Sequence, residues 1–123
     1  MLKSIILTIT LFLTGCSNKT ELSKIQYSEQ TENKTVIYYI HRDGCPACNY
    51  MDEVFKNRDI KNIINKKFKL VKIDFKDQTS LPDSSMITNK TPTLYFVKNN
   101  KQIHKPIHAL SVDKFKNILE SLR

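Results

Sequence analysis

The sequence predicts an α/β domain built on a central mixed β-sheet with helices on both faces. Three apolar runs of strand length alternate with segments of helical periodicity, and a short turn separates the last run from a returning strand. A strand–helix–strand unit followed by a hairpin and a closing helix is typical of such a sheet. The composition, with 40% hydrophobic and 26% charged residues, fits a globular chain and excludes a disordered or fibrous one.

The first strand and the first helix meet at a pair of cysteines. Residues 35–40 form an unbroken β-branched and aromatic run, which is typical of a buried strand. After a polar loop, Cys45 lies at the start of a predicted helix, and Pro46 takes the first helical position, where proline loses no needed hydrogen bond. Apolar residues then recur at helical spacing, at Cys48, Met51, Val54 and Phe55.

A second helix and a second strand follow. Asp59 can cap a helix that has an isoleucine-rich apolar side. Residues 68–73 alternate between apolar and polar side chains and predict a strand. Residues 74–90 are polar and irregular, with room for a short helix at 84–87.

A hairpin and a last helix complete the predicted domain. Residues 93–97 predict the third strand and residues 102–107 the returning strand. Asn99 and Asn100 between them can adopt the positive φ of a tight turn. Ser111 can cap the last helix, whose apolar residues form a stripe suited to packing on the core.

The N-terminus predicts an export signal and a lipid anchor. Lys3 precedes an apolar run at 4–13, which is shorter than the ~20 residues needed to cross a bilayer. The run ends in Leu-Thr-Gly-Cys16, which resembles the bacterial lipobox, where cleavage precedes an acylated cysteine. The alternative is a plain signal or a buried helix with an incidental cysteine. We therefore predict a signal peptide at 1–15, a lipidated N-terminus and polar tether at 16–34, and one domain at 35–123.

Lipidation of Cys16 implies a place in the bacterial cell envelope. Two or more acyl chains anchor a protein stably, whereas one is marginal. In a bacterium with two membranes, Ser17 resembles the default residue for outer-membrane sorting, so we expect the domain to face the periplasm from the outer membrane's inner leaflet, rather than from the inner membrane. In a bacterium with one membrane, the domain would lie on the outer face of the cell membrane.

The charge argues against a nucleic-acid partner. The net charge is +8, but the basic residues are scattered, and the densest run is Lys66, Lys67 and Lys69 at the end of a predicted helix. Nucleic-acid binders concentrate such residues in a patch or stripe. We interpret the lysines as a solvated surface, with attraction to an anionic membrane as the alternative.

The cysteine spacing indicates redox chemistry. If Cys16 carries lipid, Cys45 and Cys48 remain as a C-x-x-C pair. A disulfide that closes so short a loop contributes little to stability, which favours a redox pair or half a metal site. Zinc needs four ligands, and the three histidines lack a tight ligand spacing. We predict a redox pair with no metal and no cofactor; a metal site and an inert disulfide are the alternatives.

Residues 35–122 resemble the thioredoxin superfamily. The resemblance rests on Cys45-Pro46-Ala47-Cys48 at a helix start, on a strand ending at Asp74, on Thr91-Pro92-Thr93 before a strand, and on Ala-Leu-Ser before the last helix. It implies a thioredoxin fold with a cis peptide bond at Pro92 beside the dithiol. It also implies that Thr91 presents backbone groups to the substrate.

A narrower resemblance links residues 45–74 to periplasmic thioredoxin-like proteins of disulfide interchange, because Met51 and Phe55 follow the cysteines as they do there. The chain also departs from the superfamily. Gly44 replaces the usual tryptophan, and Tyr39 stands where many thioredoxins have a buried acid. The dipeptide between the cysteines is Pro-Ala, without the histidine of strong oxidants.

These features predict a membrane-anchored thiol–disulfide oxidoreductase outside the cytoplasm. A helix N-terminus favours a thiolate, so Cys45 is the expected nucleophile and Cys48 the resolving cysteine. Because Pro46-Ala47 adds no positive charge, we expect a reductase of envelope proteins. The alternatives are an oxidase or isomerase and a lipoprotein chaperone for metal or haem. The expected partners are protein thiols and disulfides and an envelope redox protein, and we expect a monomer.

Overall fold

The computed structural model describes residues 34–122. Within this range the chain forms four strands, β1 (Thr35–His41), β2 (Phe68–Asp74), β3 (Thr93–Lys98) and β4 (Lys101–Gln102). The α-helices of the same range are α1 (Pro46–Lys56), α2 (Arg58–Lys67) and α3 (Val112–Ser121), and two 3-10 helices, Phe75–Ser80 and Ser84–Met86, lie between β2 and β3. The predicted signal peptide, Cys16 and the tether up to residue 33 lie outside the described residues. None of the helices within 34–122 has the length and apolar character needed to span a membrane.

The sheet is mixed, as predicted. Its strand order is β2-β1-β3-β4, with β1 and β2 parallel and the other two pairs antiparallel. The register pairs His41 with Asp74 and Ile40 with Thr93. The end of β1 and the start of β3 therefore lie at the same edge of the sheet. This arrangement brings the loop that carries the cysteines close to the loop that carries Pro92.

Both faces of the sheet are covered, but by different helices. Side chains of β1 and β3 alternate between the faces, so Ile37 and Phe96 pack with residues of all three α-helices. Ile40 and Val97 on the other face pack with Leu81 and residues of the 3-10 segments. Burial on both faces explains the unbroken apolar run of β1. The predicted fold class is confirmed.

The helix cap predicted at Asp59 was wrong. Asn57 begins α2, because its side-chain oxygen accepts hydrogen bonds from the Asp59 N–H at 3.0 Å and the Ile60 N–H at 3.3 Å. Asn57 is also the C-cap of α1, so one residue ends the first helix and starts the next. Asp59 instead lies in the first turn of α2, where a negative charge is favoured by the helix dipole.

The returning strand predicted at 102–107 is shorter than expected. The turn itself is as predicted, with positive φ at Asn99 and Asn100. Ladder pairing stops after β4, although Ile107 exchanges two backbone hydrogen bonds with Leu94, at 2.8 and 3.1 Å. Gln102 pairs with Val97 but Ile107 pairs with Leu94, so the returning chain has two extra residues between these pairs and bulges away from β3.

Candidate active site

The two redox cysteines lie at the N-terminus of α1. Cys45 and Cys48 form a disulfide with their Cα atoms 5.2 Å apart. Gly44 has a φ of +70°, a conformation that side-chain-bearing residues rarely adopt, so this turn favours glycine at the position of the family's usual tryptophan. Cys45 is the N-cap residue and Pro46 begins the helix, as the sequence predicted.

The helix start gives the two sulfurs different environments. The Cys48 N–H donates a hydrogen bond to Cys45 Sγ at 3.2 Å. This N–H group and the positive end of the helix dipole would stabilise a thiolate on Cys45 once the disulfide is reduced. Cys45 is 5% exposed and Cys48 is 1% exposed. Cys45 is therefore the sulfur better suited to attack a substrate.

The loop before β3 lies against the reactive sulfur. The peptide bond between Thr91 and Pro92 is cis. The Thr91 hydroxyl donates to Cys45 Sγ at 3.5 Å, and the Thr91 carbonyl oxygen lies 3.6 Å from the same sulfur. The structure thus brings together the residues that the sequence singled out in two distant segments.

A buried glutamine, which the sequence analysis missed, supports the loop that leads to Pro92. The Gln78 side chain donates to the Thr88 carbonyl at 2.8 Å and accepts from the Thr88 N–H at 2.7 Å. It also donates to the carbonyl of Phe75 at 3.1 Å. Nothing in the polar stretch 74–90 distinguishes Gln78, because its role depends on a contact between distant segments.

His108 touches the same loop from the other side. Its Nδ1 lies 3.0 Å from the Pro92 carbonyl oxygen, and because a carbonyl can only accept, Nδ1 is the donor. The sequence offers His108 only as a possible metal ligand, without the close ligand spacing that such a site needs. Within the described residues there is no group of three or more His, Cys, Asp or Glu side chains that could hold a metal ion.

A tyrosine and an acid lie beneath the dithiol. The hydroxyl of buried Tyr39 is 3.0 Å from the Cys48 carbonyl oxygen and 3.0 Å from Asp52 Oδ1. Lys72 Nζ lies 3.4 Å from the same carboxylate oxygen. Asp52 therefore places a carboxylate against the Tyr39 hydroxyl, one turn after Cys48 along α1. Asp52 was not among the residues predicted for the site, although its spacing of four residues from Cys48 was a usable signal.

Tyr39 stays protonated as a result. Burial raises the pKa of the Tyr39 hydroxyl above its ordinary value, and the hydrogen bond to Asp52 raises this pKa further. A neutral hydroxyl remains a donor and ties the first turns of α1 to β1.

Replacing Tyr39 with phenylalanine tests this tie. We expect Tyr39→Phe to lower the free energy of unfolding by about 1 kcal/mol near neutral pH, because one buried hydrogen bond is lost. Since the pKa of Tyr39 is higher in the folded than in the unfolded state, its contribution is present below the unfolded value of about 10 and is lost as pH rises above it. Urea unfolding of both proteins between pH ~8 and pH ~11 should therefore show the stability difference shrinking. If the difference in unfolding free energy between the two proteins does not change with pH, the role assigned to the protonated Tyr39 hydroxyl is contradicted.

A comparison with known families agrees with the geometry. The family model for thioredoxin matches residues 18–121. The chain belongs to the thioredoxin family. No match was found among curated proteins.

Solved structures with the same fold include thioredoxins and a disulfide isomerase. The germline-specific thioredoxin Deadhead of Drosophila melanogaster has a TM-score of 0.63 at 17% identity, over 84% of this chain and 94% of that one. A thioredoxin from Thermus thermophilus has a TM-score of 0.60 at 15% identity, over 81% and 82%. A disulphide isomerase from Xylella fastidiosa Temecula1 has a TM-score of 0.61 at 16% identity, over 95% and 98%. At these identities the likenesses show the fold alone.

As a thioredoxin-family protein with a C-x-x-C pair, the chain is a thiol–disulfide oxidoreductase. With the roles predicted for the two cysteines, the Cys45 thiolate of the reduced protein would attack one sulfur of a substrate disulfide, and the departing substrate sulfur would take up a proton. Cys48 would then lose its proton and attack Cys45 Sγ, which would release the second substrate thiol. Two electrons pass from the dithiol to the substrate, and the reverse sequence oxidises a substrate dithiol.

Proposed function

We propose that this protein is a lipid-anchored reductase that acts outside the cytoplasm on disulfides of envelope proteins. The observation that carries the proposal is the placement of Cys45 Sγ at the α1 N-terminus against the cis peptide of Thr91 and Pro92. This geometry leaves one sulfur ready to form a mixed disulfide and places backbone groups next to it. An envelope or membrane thiol protein would supply the electrons that restore the dithiol.

The charges around the dithiol support the reducing direction. A strong oxidant needs a highly stabilised thiolate, because that stabilises its reduced form. The hydrogen-bond donors to Cys45 Sγ, the Cys48 N–H and the Thr91 hydroxyl, carry no formal charge. Asp52, one turn along α1 from Cys48, is paired with Lys72 at 3.4 Å, so this pair adds no net charge near the dithiol. An oxidase would be better served by an unpaired cation that donates to Cys45 Sγ.

The anchor is proposed from the sequence motif at Cys16. The thioredoxin match begins at residue 18, so acyl chains on Cys16 would lie immediately before the matched region. In a bacterium with two membranes we place the domain in the periplasm, on the inner leaflet of the outer membrane. In a bacterium with one membrane we place it on the outer face.

One cellular experiment tests both the anchor and the direction. The full chain and its Cys16→Ala variant are expressed in a bacterium, labelled with a palmitate analogue and fractionated. We expect the parent chain to be acylated and bound to membranes, and Cys16→Ala to carry no label. Alkylation of free thiols in the membrane fraction should find Cys45 and Cys48 mostly reduced.

The neighbouring substitution Ser17→Ala is the matched control, because it changes the same segment but keeps the acylated cysteine. It should be labelled and membrane-bound like the parent. A Cys16→Ala variant that is still acylated would refute the anchor. A dithiol held fully oxidised in the membrane fraction would favour the oxidase over the reductase.

A further inference from the structure

A groove adjoins the cis-peptide loop on the side away from α1. We call it the cis-proline groove. It runs between the segment before Thr91 and the segment that holds His108. The residues that define its chemistry are Ile87, Asn89, Lys90, Tyr95, Pro106 and His108. Any protein that forms a mixed disulfide with Cys45 must pass next to Thr91, and the groove begins one residue away.

The backbone of Lys90 is fixed within this groove. Its carbonyl accepts a hydrogen bond from Thr93 Oγ1 at 2.7 Å, and its N–H donates to Thr88 Oγ1 at 3.1 Å. Gln78 in turn holds the backbone of Thr88. The exposed ammonium of Lys90 therefore projects from a backbone position that is set before a substrate arrives. Such preorganisation reduces the entropy lost on binding.

The groove carries positive charge without a carboxylate among the described residues that line it. Burial raises the pKa of Tyr95, so this phenol stays neutral. His108 donates through Nδ1 to the Pro92 carbonyl, which turns its other ring edge away from that contact. In the loop before the dithiol, exposed Arg42 and Asp43 are neighbours of opposite charge. Lys90 is therefore the formally charged side chain that lines this groove next to the cis peptide.

We propose that Lys90 selects substrates that carry an acidic side chain next to the reacting cysteine. The inference rests on the proposed reductase function and names its substrate class. In the mixed disulfide, the residues flanking the substrate cysteine lie over Thr91 and enter the cis-proline groove. A carboxylate there meets the Lys90 ammonium, and Ile87, which is 54% exposed, offers an apolar contact to the following residue.

Three synthetic peptides, each with one internal disulfide, test the proposal. They differ only at the residue beside the reacting cysteine, which is Glu, Gln or Lys. The pre-reduced full chain in neutral detergent reduces each peptide, and each rate is divided by the rate with dithiothreitol to remove intrinsic reactivity. We expect the Glu peptide to react about three- to tenfold faster than the Lys peptide, the range for an exposed ion pair replaced by a repulsion, and the ratio to fall with added salt.

Two charge reversals separate a local effect from a global one. Lys90→Glu should invert the preference in favour of the Lys peptide, when each rate is divided by the same variant's rate for the Gln peptide. Lys101→Glu is the matched control, because it makes the same change in net charge on exposed β4, beyond the far end of β3. It should keep the parent's ratio.

The outcomes distinguish a failure of the selectivity assigned to Lys90 from a failure of the proposed reductase function. If Lys90→Glu keeps the parent's ratio, or Lys101→Glu shifts it equally, the assignment of selectivity to Lys90 is wrong while the reductase function stands. If the parent chain reduces none of the three peptides, the proposed function fails and this inference fails with it.

Discussion

Cys45→Ser should reduce disulfide reduction to the uncatalysed level, whereas Cys48→Ser should accumulate mixed disulfides with its substrates. A serine hydroxyl stays protonated near neutral pH and cannot replace the thiolate as nucleophile. In Cys48→Ser the nucleophile at the α1 N-terminus is intact, but the sulfur that would release the substrate is absent. The mixed disulfide then persists until an external thiol attacks it and releases the substrate.

Non-reducing gels of envelope extracts measure this asymmetry. Adducts of Cys48→Ser should vanish on reduction, and the double variant Cys45→Ser/Cys48→Ser should form none. Because Cys16 is unchanged in all variants, differences in location do not enter the comparison. Equal trapping by the two single variants would contradict the assignment of Cys45 as the nucleophile and Cys48 as the resolving cysteine.

Local patterns in the sequence predicted most of the fold. The unbroken apolar run before His41 is a strand buried on both faces, the two asparagines make the predicted turn, and Ser111 caps the last helix. The position of Cys45 at the start of α1 was also predicted, because Pro46 marks the first helical position. Each of these features depends on residues that are neighbours along the chain or share one helix face.

The features that were missed depend on contacts between distant segments. Asp52 reaches Tyr39 across α1 and β1, and Gln78 reaches Thr88 across a polar stretch without periodicity. The early end of the hairpin ladder depends on a two-residue shift of register before Ile107 returns to Leu94. Side-chain periodicity contains no information about which partner such groups find.

The dithiol's surroundings also decide how reducing the protein is. A Cys45 thiolate would have the helix dipole and two uncharged donors to stabilise it, and the nearby Asp52 carboxylate is paired with Lys72. Pro46 and Ala47 add no charge between the sulfurs. On the proposed function, this balance stabilises the reduced form less than in a strong oxidant, which would make the dithiol a better electron donor.

The reduction potential of the Cys45–Cys48 pair therefore tests the central claim most directly. The reference values are about −270 mV for thioredoxin and about −120 mV for a strong periplasmic oxidant, and this interval corresponds to ~7 kcal/mol for a two-electron couple. The chain is equilibrated with glutathione buffers of known ratio, and its free thiols are counted after alkylation. We predict a potential closer to the thioredoxin end, and a value above about −150 mV would contradict the reductase and favour an oxidase.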